Sequence, residues 1–309
     1  LVTVVTYGIN SAGGFAAVMD NARALPGYLS LNNTFDAANN ASNSFSFISI
    51  VSTLAWGIGY FGMPHILVRF MAIEDEKKLT LSRRIASVWV VIAMTVGIFI
   101  GVVGLAMTKA GSLESLADSE TVIVRITGLI SSHGVIAALI AGVILAGILA
   151  ATMSTSDSQL LTAASGVSQN ILHDFFHVEM DEKKSLLTAR LTIVAIAIVA
   201  VFMARDPNSS VFGIVSFAWA GFGAAFGAVM LCALFWKRST LAGAISGMVA
   251  GGVMVFVWKY LVRPLGGAFD IYELLPAFLV SLIVIIVVSL LTKKPSEEVL
   301  AEFDKAAEK

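Results

Sequence analysis

The chain has 309 residues, of which 57% are hydrophobic and only 13% are charged, and its mean hydropathy is +0.87. Soluble domains are about half apolar and about a quarter charged, so this composition excludes a soluble enzyme and a disordered chain. The formal net charge of −1 provides no overall field that would attract a nucleic acid. The single cysteine, Cys232, excludes an internal disulfide framework. The chain is therefore predicted to be an integral membrane protein whose surroundings are the lipid bilayer.

Eight stretches are apolar and long enough to cross a bilayer, which takes about 20 residues of helix. They are residues 1–19, 45–71, 85–108, 134–171, 186–204, 211–236, 241–262 and 271–292. The first stretch is the weakest, because Gly8, Gly13 and Gly14 interrupt it. Each stretch is uniformly apolar, without the alternation of polar and apolar residues that half-buried strands show, which favours helices.

The basic residues of the connecting segments are unevenly divided between the two sides that eight alternating spans create. One set of loops holds twelve Lys and Arg residues and the other set holds six. Because cytoplasmic loops carry the excess of basic residues, the richer set and the C-terminal tail are predicted to be cytoplasmic. Residues 20–44 and 109–133 then lie outside. The tail, residues 293–309, is charged and predicted to be a helical, solvated end.

The second span contains a segment in which a regular helix is expected to break. Three glycines and Pro64 occur within Trp56–His65, WGIGYFGMPH. Glycine weakens a helix and proline removes a backbone donor, and broken helices mark the binding sites of transporters. Trp56 and Tyr60 are four residues apart and share a helix face, where they would enclose a small amphipathic solute. The alternative is a proline-kinked helix with packing glycines and aromatic anchors at the membrane interface.

The fourth span contains a run of hydroxyl groups interrupted by Asp157. The hydroxylated residues of this run are Ser154, Thr155, Ser156 and Ser158. Hydroxyl and carbonyl oxygens are hard ligands, which hard cations such as sodium prefer, so an ion site is one interpretation. The alternative is that the span ends near Met153 and the polar run lies at the membrane interface. The stretch 134–171 would be about 57 Å long as a helix, against a hydrocarbon core of about 30 Å, which favours a helix that continues beyond the core.

Other features of the spans favour structural roles. Gly243, Gly247 and Gly251 recur every four residues, which is typical of a helix-packing face in membranes. The small residues within 217–227 are expected to pack against a neighbouring helix. His65 is a minor candidate for proton coupling. The spans contain no Ser/His/Asp grouping and no pair of acids, so an enzyme is not predicted.

Three motifs resemble those of the sodium:solute symporter family. They are WGIGYFGMPHILVRFM at 56–71, LAATMST at 149–155 with QLL at 159–161, and VSFAWAGFGAAFG at 215–227. The resemblance extends from about residue 45 to the end of the chain, and it is strongest to the branch of the family that transports proline. It implies sodium-coupled uptake of L-proline by alternating access, with sodium as the co-transported ion, in the bacterial inner membrane.

The resemblance also implies the architecture. The expected fold is an all-α integral membrane protein of the LeuT type, with two inverted repeats. The chain looks like the C-terminal eight helices of a longer protein, with the N-terminal helices missing. On this interpretation residues 1–20 are the last helix of the first repeat, and residues 45–236 are the second repeat with its five helices. Residues 241–292 are then two peripheral helices, and residues 293–309 are the cytoplasmic tail.

Site residues follow from the same resemblance. The residues that match the helix lining the solute pocket are Trp56, Gly57, Tyr60 and Pro64. The residues that match the sodium ligands are Ala151, through its carbonyl oxygen, and Ser154 and Thr155, through their hydroxyls. Members of the family also use a helix of the first repeat, which this chain lacks. The chain is therefore expected to carry half of a site and not to transport by itself.

Three alternatives to proline symport remain open at the level of the sequence. The first is sodium symport of another small solute by the same family, although Trp56 and Tyr60 favour a small ring. The second is a membrane sensor module, because some members of the family are fused to signalling domains. The third is a pore or a structural subunit, which would leave the hydroxyl run at Ser154 and Thr155 without a role.

Overall fold

A computed structural model describes residues 1–205 and 210–307. The helices are α1 Val2–Ser11, α2 Phe15–Ala24, α3 Phe47–Ala55, α4 Pro64–Met71, α5 Lys78–Lys109, α6 Val122–Ser131, α7 Val135–Ser165, α8 Glu182–Met203, α9 Val211–Phe222, α10 Ala228–Phe235, α11 Leu241–Val257, α12 Leu274–Leu291 and α13 Glu297–Ala307. A 3₁₀ turn, Trp56–Gly62, follows α3, and π-helical turns at Gly166–Phe175, Gly223–Gly227 and Trp258–Val262 follow α7, α9 and α11. The helix predicted for the tail is confirmed as α13, Glu297–Ala307, and residues 308–309 lie outside the described residues.

Six helices in the described ranges are long and apolar enough to cross a membrane, and the number is eight if each of two bent pairs is one span. The bent pairs are α1 with α2, at 78°, and the segment Phe47–Gly62 with α4, at 51°. All eight coincide with the predicted stretches, so the multi-pass helical class is confirmed. The first pair bends at Gly13 and Gly14, whose φ angles of +93° and +102° suit glycine alone.

A short β-hairpin between α2 and α3 was not predicted. Strands β1, Asn33–Asp36, and β2, Ala41–Ser44, pair antiparallel with Asn33 opposite Ser44. The Asp36 carboxylate accepts hydrogen bonds from the Asn39 side chain, at 2.7 Å, and from the backbone of Ala38 and Asn39. The bond from the Asn39 side chain is the main reason that the pKa of Asp36 is lowered. The strands are too short and too polar for a periodic pattern to reveal them.

The chain divides into two compact units, Leu1–Phe45 with Ile73–Gln159, and Ser46–Ala72 with Leu160–Lys309. In the first unit α1 packs on α5 and α6 around Val4, Val103 and Ile126, which are fully buried. The resemblance to the family also divides the chain into repeats, peripheral helices and a tail, at residues 20, 45, 236 and 292. This division stays a prediction.

The core of the second unit includes the contact between α11 and α12. Gly243, Gly247 and Gly251 of α11 face Ser289, Ile285 and Ser281 of α12. The hydroxyl of Ser281 donates a hydrogen bond of 2.8 Å to the carbonyl of Gly247. The glycine repeat is therefore a packing face, as the four-residue spacing predicts, and it brings the two backbones close enough for a hydroxyl to join them.

Gly251→Ala is expected to destabilise the protein, because a Cβ there would lie 2.6 Å from the Ala224 carbonyl oxygen and 2.9 Å from the Ser281 Cβ. Overpacking of this kind costs about 1–3 kcal/mol. The matched control is Gly252→Ala, where a Cβ would meet no atom of the described chain within 4 Å, and where alanine is the better helix former. Thermal unfolding in detergent should separate the two variants, and equal melting temperatures would contradict this packing.

Candidate functional site

The second span is broken where the sequence predicts. Helix α3 is capped by the Ser46 side chain, which accepts a hydrogen bond from the Ser49 backbone, and it tightens into the 3₁₀ turn Trp56–Gly62. Met63 is extended, with φ −81° and ψ 111°, and α4 starts at Pro64. A residue before proline avoids the helical region, and proline is well suited to the first position of a helix. The Met63–Pro64 pair therefore ends one helix and begins the next.

The glycines of the broken span have different roles. A Cβ on Gly62 would collide with the Phe222 carbonyl oxygen and lie 2.8 Å from both Gly223 Cα and Gly227 N. A Cβ on Gly59 would collide with the indole of Trp219. These two glycines thus pack the 3₁₀ turn directly on the π turn Gly223–Gly227. The neighbour expected for the small residues within 217–227 is therefore the broken span itself.

The Cβ position of Gly57, in contrast, faces away from this contact. A Cβ built there would meet no described atom within 4 Å. Of the predicted solute residues, Gly57 therefore has open space beside its Cα. Pro64 is instead the first residue of α4. Tyr60 is 52% exposed. The turn thus buries its packing glycines and presents Gly57 and Tyr60 outward.

Five aromatic residues form a cluster around the break, which we call the aromatic cluster: Trp56, Tyr60, Phe212, Trp219 and Tyr272. The ring of Trp56 is stacked with those of Phe212, Trp219 and Tyr272 at centroid distances of 5.3, 5.5 and 5.9 Å. Tyr60 meets Trp219 edge-on at 4.7 Å, and the Trp219 indole N–H donates to the Trp56 carbonyl at 3.0 Å. Trp56 is held by protein contacts, which does not fit an interfacial anchor.

Tyr272 is a member of the cluster that sequence reasoning did not mark at all. It lies just before α12, and its hydroxyl donates a hydrogen bond of 2.6 Å to the Ser216 carbonyl. The only sequence signal was a polar aromatic residue at the edge of an apolar span, and Phe212 and Trp219 were equally unmarked as partners of Trp56.

The hydroxyl run lies within one continuous helix. Helix α7 extends from Val135 to Ser165, so the helix itself does not end at Met153. The Thr155 hydroxyl donates to the Ala151 carbonyl at 3.3 Å, which brings two of the three predicted sodium ligands together. Ser154 shares their face, because positions i, i+3 and i+4 are neighbours on a helix. Hard cations in proteins take about six oxygen ligands, so three oxygens would be only part of the coordination shell of the predicted sodium site.

These features together define a class of protein. Several helices long enough to cross a membrane, one of them broken at Met63–Pro64 beside an aromatic cluster, are typical of secondary transporters. The two candidate sites are carried by different units of the chain, the hydroxyl run by Ile73–Gln159 and the broken span by Ser46–Ala72.

The profile of the sodium:solute symporter family matches residues 1–251. A sodium/proline symporter of Staphylococcus aureus is 40% identical over 272 residues, which cover 86% of this chain and 52% of that protein. A sodium/proline symporter of Haemophilus influenzae is 38% identical over 297 residues, which cover 94% of this chain and 56% of that protein. The chain belongs to the sodium:solute symporter family, as its three motifs predict. It spans about half the length of the curated relatives that it matches.

Proposed function

We propose that this chain forms part of a symporter that couples the uptake of L-proline to the inward movement of sodium. The observation that carries the proposal is the break at Met63–Pro64 beside the aromatic cluster, in a chain about 40% identical to proteins named sodium/proline symporters. The remaining helices of the full-length transporter would supply the rest of the first inverted repeat of a LeuT-type fold. The bacterial inner membrane and a cytoplasmic C-terminal tail belong to the same proposal.

The solute site is assigned to Trp56, Gly57, Tyr60 and Pro64. Because proline has no N–H, the carbonyl of Tyr60 lacks the donor that a continuous α-helix would provide at position 64. The open space beside Gly57 would let the amino group of an amino acid approach the backbone of the turn. The half-exposed ring of Tyr60 offers an apolar surface to the pyrrolidine ring of proline. A small cyclic amino acid thus matches both the polar and the apolar parts of the turn.

The sodium site is assigned to the Ala151 carbonyl and the hydroxyls of Ser154 and Thr155, completed by ligands from the rest of the transporter. Sodium and solute favour each other's binding by the same factor, as linkage requires. Each charge that moves inward through the membrane potential contributes about 2.3 kcal/mol per 100 mV. Sodium bound at α7 would therefore both raise the affinity for the solute and drive its accumulation.

Tyr60→Ala is expected to raise the KM for proline about tenfold, because the variant removes the ring that would cover the solute; a tenfold change corresponds to about 1.4 kcal/mol. The measurement is uptake of labelled proline into proteoliposomes that contain the full-length transporter, with a sodium gradient. The matched control is Phe61→Ala, the adjacent aromatic residue, which is also exposed and lies outside the aromatic cluster.

The outcome also separates proline from other solutes. Sodium-driven uptake with an unchanged KM in Tyr60→Ala would remove this residue from the pocket. A well-folded wild-type transporter that takes up no proline would remove proline and leave the family membership intact. Competition of labelled proline by other amino acids and carboxylates would then identify the solute class.

A further inference from the structure

A cluster of four charged residues lies at the end of α11 and in the segment that leads to α12; we call it the charged cluster, Lys259, Arg263, Asp270 and Glu273. The guanidinium of Arg263 bonds Glu273 through Nη1 and Asp270 through Nε, both at 2.9 Å. Lys259 Nζ lies 3.8 Å from the other Glu273 oxygen. Glu273 is 2% exposed. A buried carboxylate is costly unless it is paired, and neither the sodium site nor the solute site uses this one.

Tyr272, the residue next to Glu273, connects the charged cluster to the solute site. Its backbone N–H donates a hydrogen bond of 3.0 Å to the Ser52 hydroxyl of α3, and its phenol bonds the Ser216 carbonyl of α9. Its ring is stacked on Trp56, with an angle of 16° between the planes. One residue therefore contacts the helix before the break, the first residue of the 3₁₀ turn and the helix that packs on that turn.

The charged cluster also contacts α9 directly. The ammonium of Lys259 lies 3.9 Å from the ring centroid of Phe217, the neighbour of Ser216, and cation–π contacts of this kind are attractive. Lys259 therefore joins Glu273 to α9 at Phe217, and Tyr272 bonds α9 at the neighbouring residue, Ser216. The carboxylate of Glu273 is thus held by two cations, one of which is itself held by α9, and this fixes the position of Tyr272.

We propose that Tyr272 and Glu273 are positioning residues of the solute site, which hold the indole of Trp56 in the orientation that binds the solute. The proposal rests on the proposed function in so far as Trp56 lines the solute pocket. Holding a ring in its binding orientation before the ligand arrives removes an ordering cost from binding. Loss of either residue should then weaken solute binding without changing the residues that touch the solute.

The first test is Tyr272→Phe, which keeps the ring on Trp56 and removes the bond to Ser216. The KM for labelled proline is expected to rise about three- to tenfold, while Vmax per folded transporter stays within about twofold. The matched control is Tyr260→Phe, an exposed tyrosine near the same end of α11, which should retain the wild-type KM. A purely structural role would instead lower the amount of folded transporter and leave KM unchanged.

The second test does not depend on the identity of the solute. Hydrogen–deuterium exchange of residues 56–62 in the purified full-length transporter, without solute, should be about tenfold faster in Glu273→Gln and in Tyr272→Phe. The matched control is Asp270→Asn, which removes a carboxylate from the same cluster at a side chain that is 61% exposed, and exchange should match the wild type.

The two tests separate the failure of this proposal from the failure of the proposed function. If wild-type protein takes up no proline, the exchange of residues 56–62 decides by itself whether Tyr272 and Glu273 position Trp56. Exchange at the wild-type rate in a folded Tyr272→Phe variant would overturn the proposal, and so would a wild-type KM in that variant. Should Glu273→Gln fail to fold, the result for Tyr272→Phe remains decisive.

Discussion

Replacing Ser154 and Thr155 together by alanine is expected to abolish the stimulation of proline uptake by sodium. The loss of the two hydroxyls would leave the Ala151 carbonyl as the one predicted sodium ligand on this face of α7. Loss of groups that merely orient metal ligands typically costs 10- to 100-fold in affinity, so the loss of two ligands should raise the half-saturating sodium concentration by at least about 100-fold. The measurement is initial uptake of labelled proline over a range of sodium concentrations, in proteoliposomes with the full-length transporter.

Two variants make this sodium experiment specific. Ser156→Ala removes a hydroxyl that bonds the Thr152 carbonyl at 3.0 Å on a different face of α7, and it should retain sodium coupling. Thr155→Ser keeps the oxygen and should recover most of the affinity that Thr155→Ala loses. Uptake that still responds to sodium at the wild-type concentration in the double variant would place the ion elsewhere. Uptake driven by a proton gradient would instead direct attention to His65 and Asp157.

Gly62→Ala is expected to prevent the broken span from packing and to lower stability more than any other single methyl discussed. The added Cβ would meet backbone atoms on three sides, the Phe222 carbonyl oxygen, Gly223 Cα and Gly227 N. Backbone atoms have no other rotamer to adopt, so a helix must move, at a cost of about 3 kcal/mol or more. For a chain of this size each kcal/mol lowers the melting temperature by roughly 2–4 °C.

The matched control for Gly62 lies within the same turn. Gly57→Ala adds the same methyl where the described part of the chain leaves open space, so its melting temperature should stay close to that of the wild type. Thermal unfolding of both variants in one detergent gives the comparison directly. If Gly62→Ala melted together with Gly57→Ala, the direct contact between the turns 56–62 and 223–227 would be wrong.

The positions of the spans were predictable because a bilayer selects for composition over a fixed length. Uniform apolar runs locate helices such as α5 and α12 without any knowledge of their neighbours. The break before Pro64 was equally accessible, since the restriction on Met63 is local to the X–Pro bond. The glycine repeat of α11 indicated a packing face. That the helix packed on it is α12 was known only from the structure.

The partners in the aromatic cluster were not predictable from one sequence. Trp56 and Trp219 are 163 positions apart and Ser52 and Tyr272 are 220 apart, and no periodic pattern links such distant segments. In the sequence Glu273 is one acidic residue at the end of an apolar span. Its burial, which the sequence does not show, is what distinguishes it from a solvated acid. The solute and sodium residues and the division into repeats came from the family motifs, and they stay predictions.

The contact of the broken span with the π turn has a consequence for how the sequence can change. Most packed pairs tolerate a larger residue on one side if the other side becomes smaller. Where Gly62 faces Gly223 and Gly227, both sides already carry the smallest residue. No second substitution can make room for a first one there. Substitution of these glycines by a larger residue is therefore not tolerated. At Gly57, in the same turn, the described part of the chain leaves room for a Cβ.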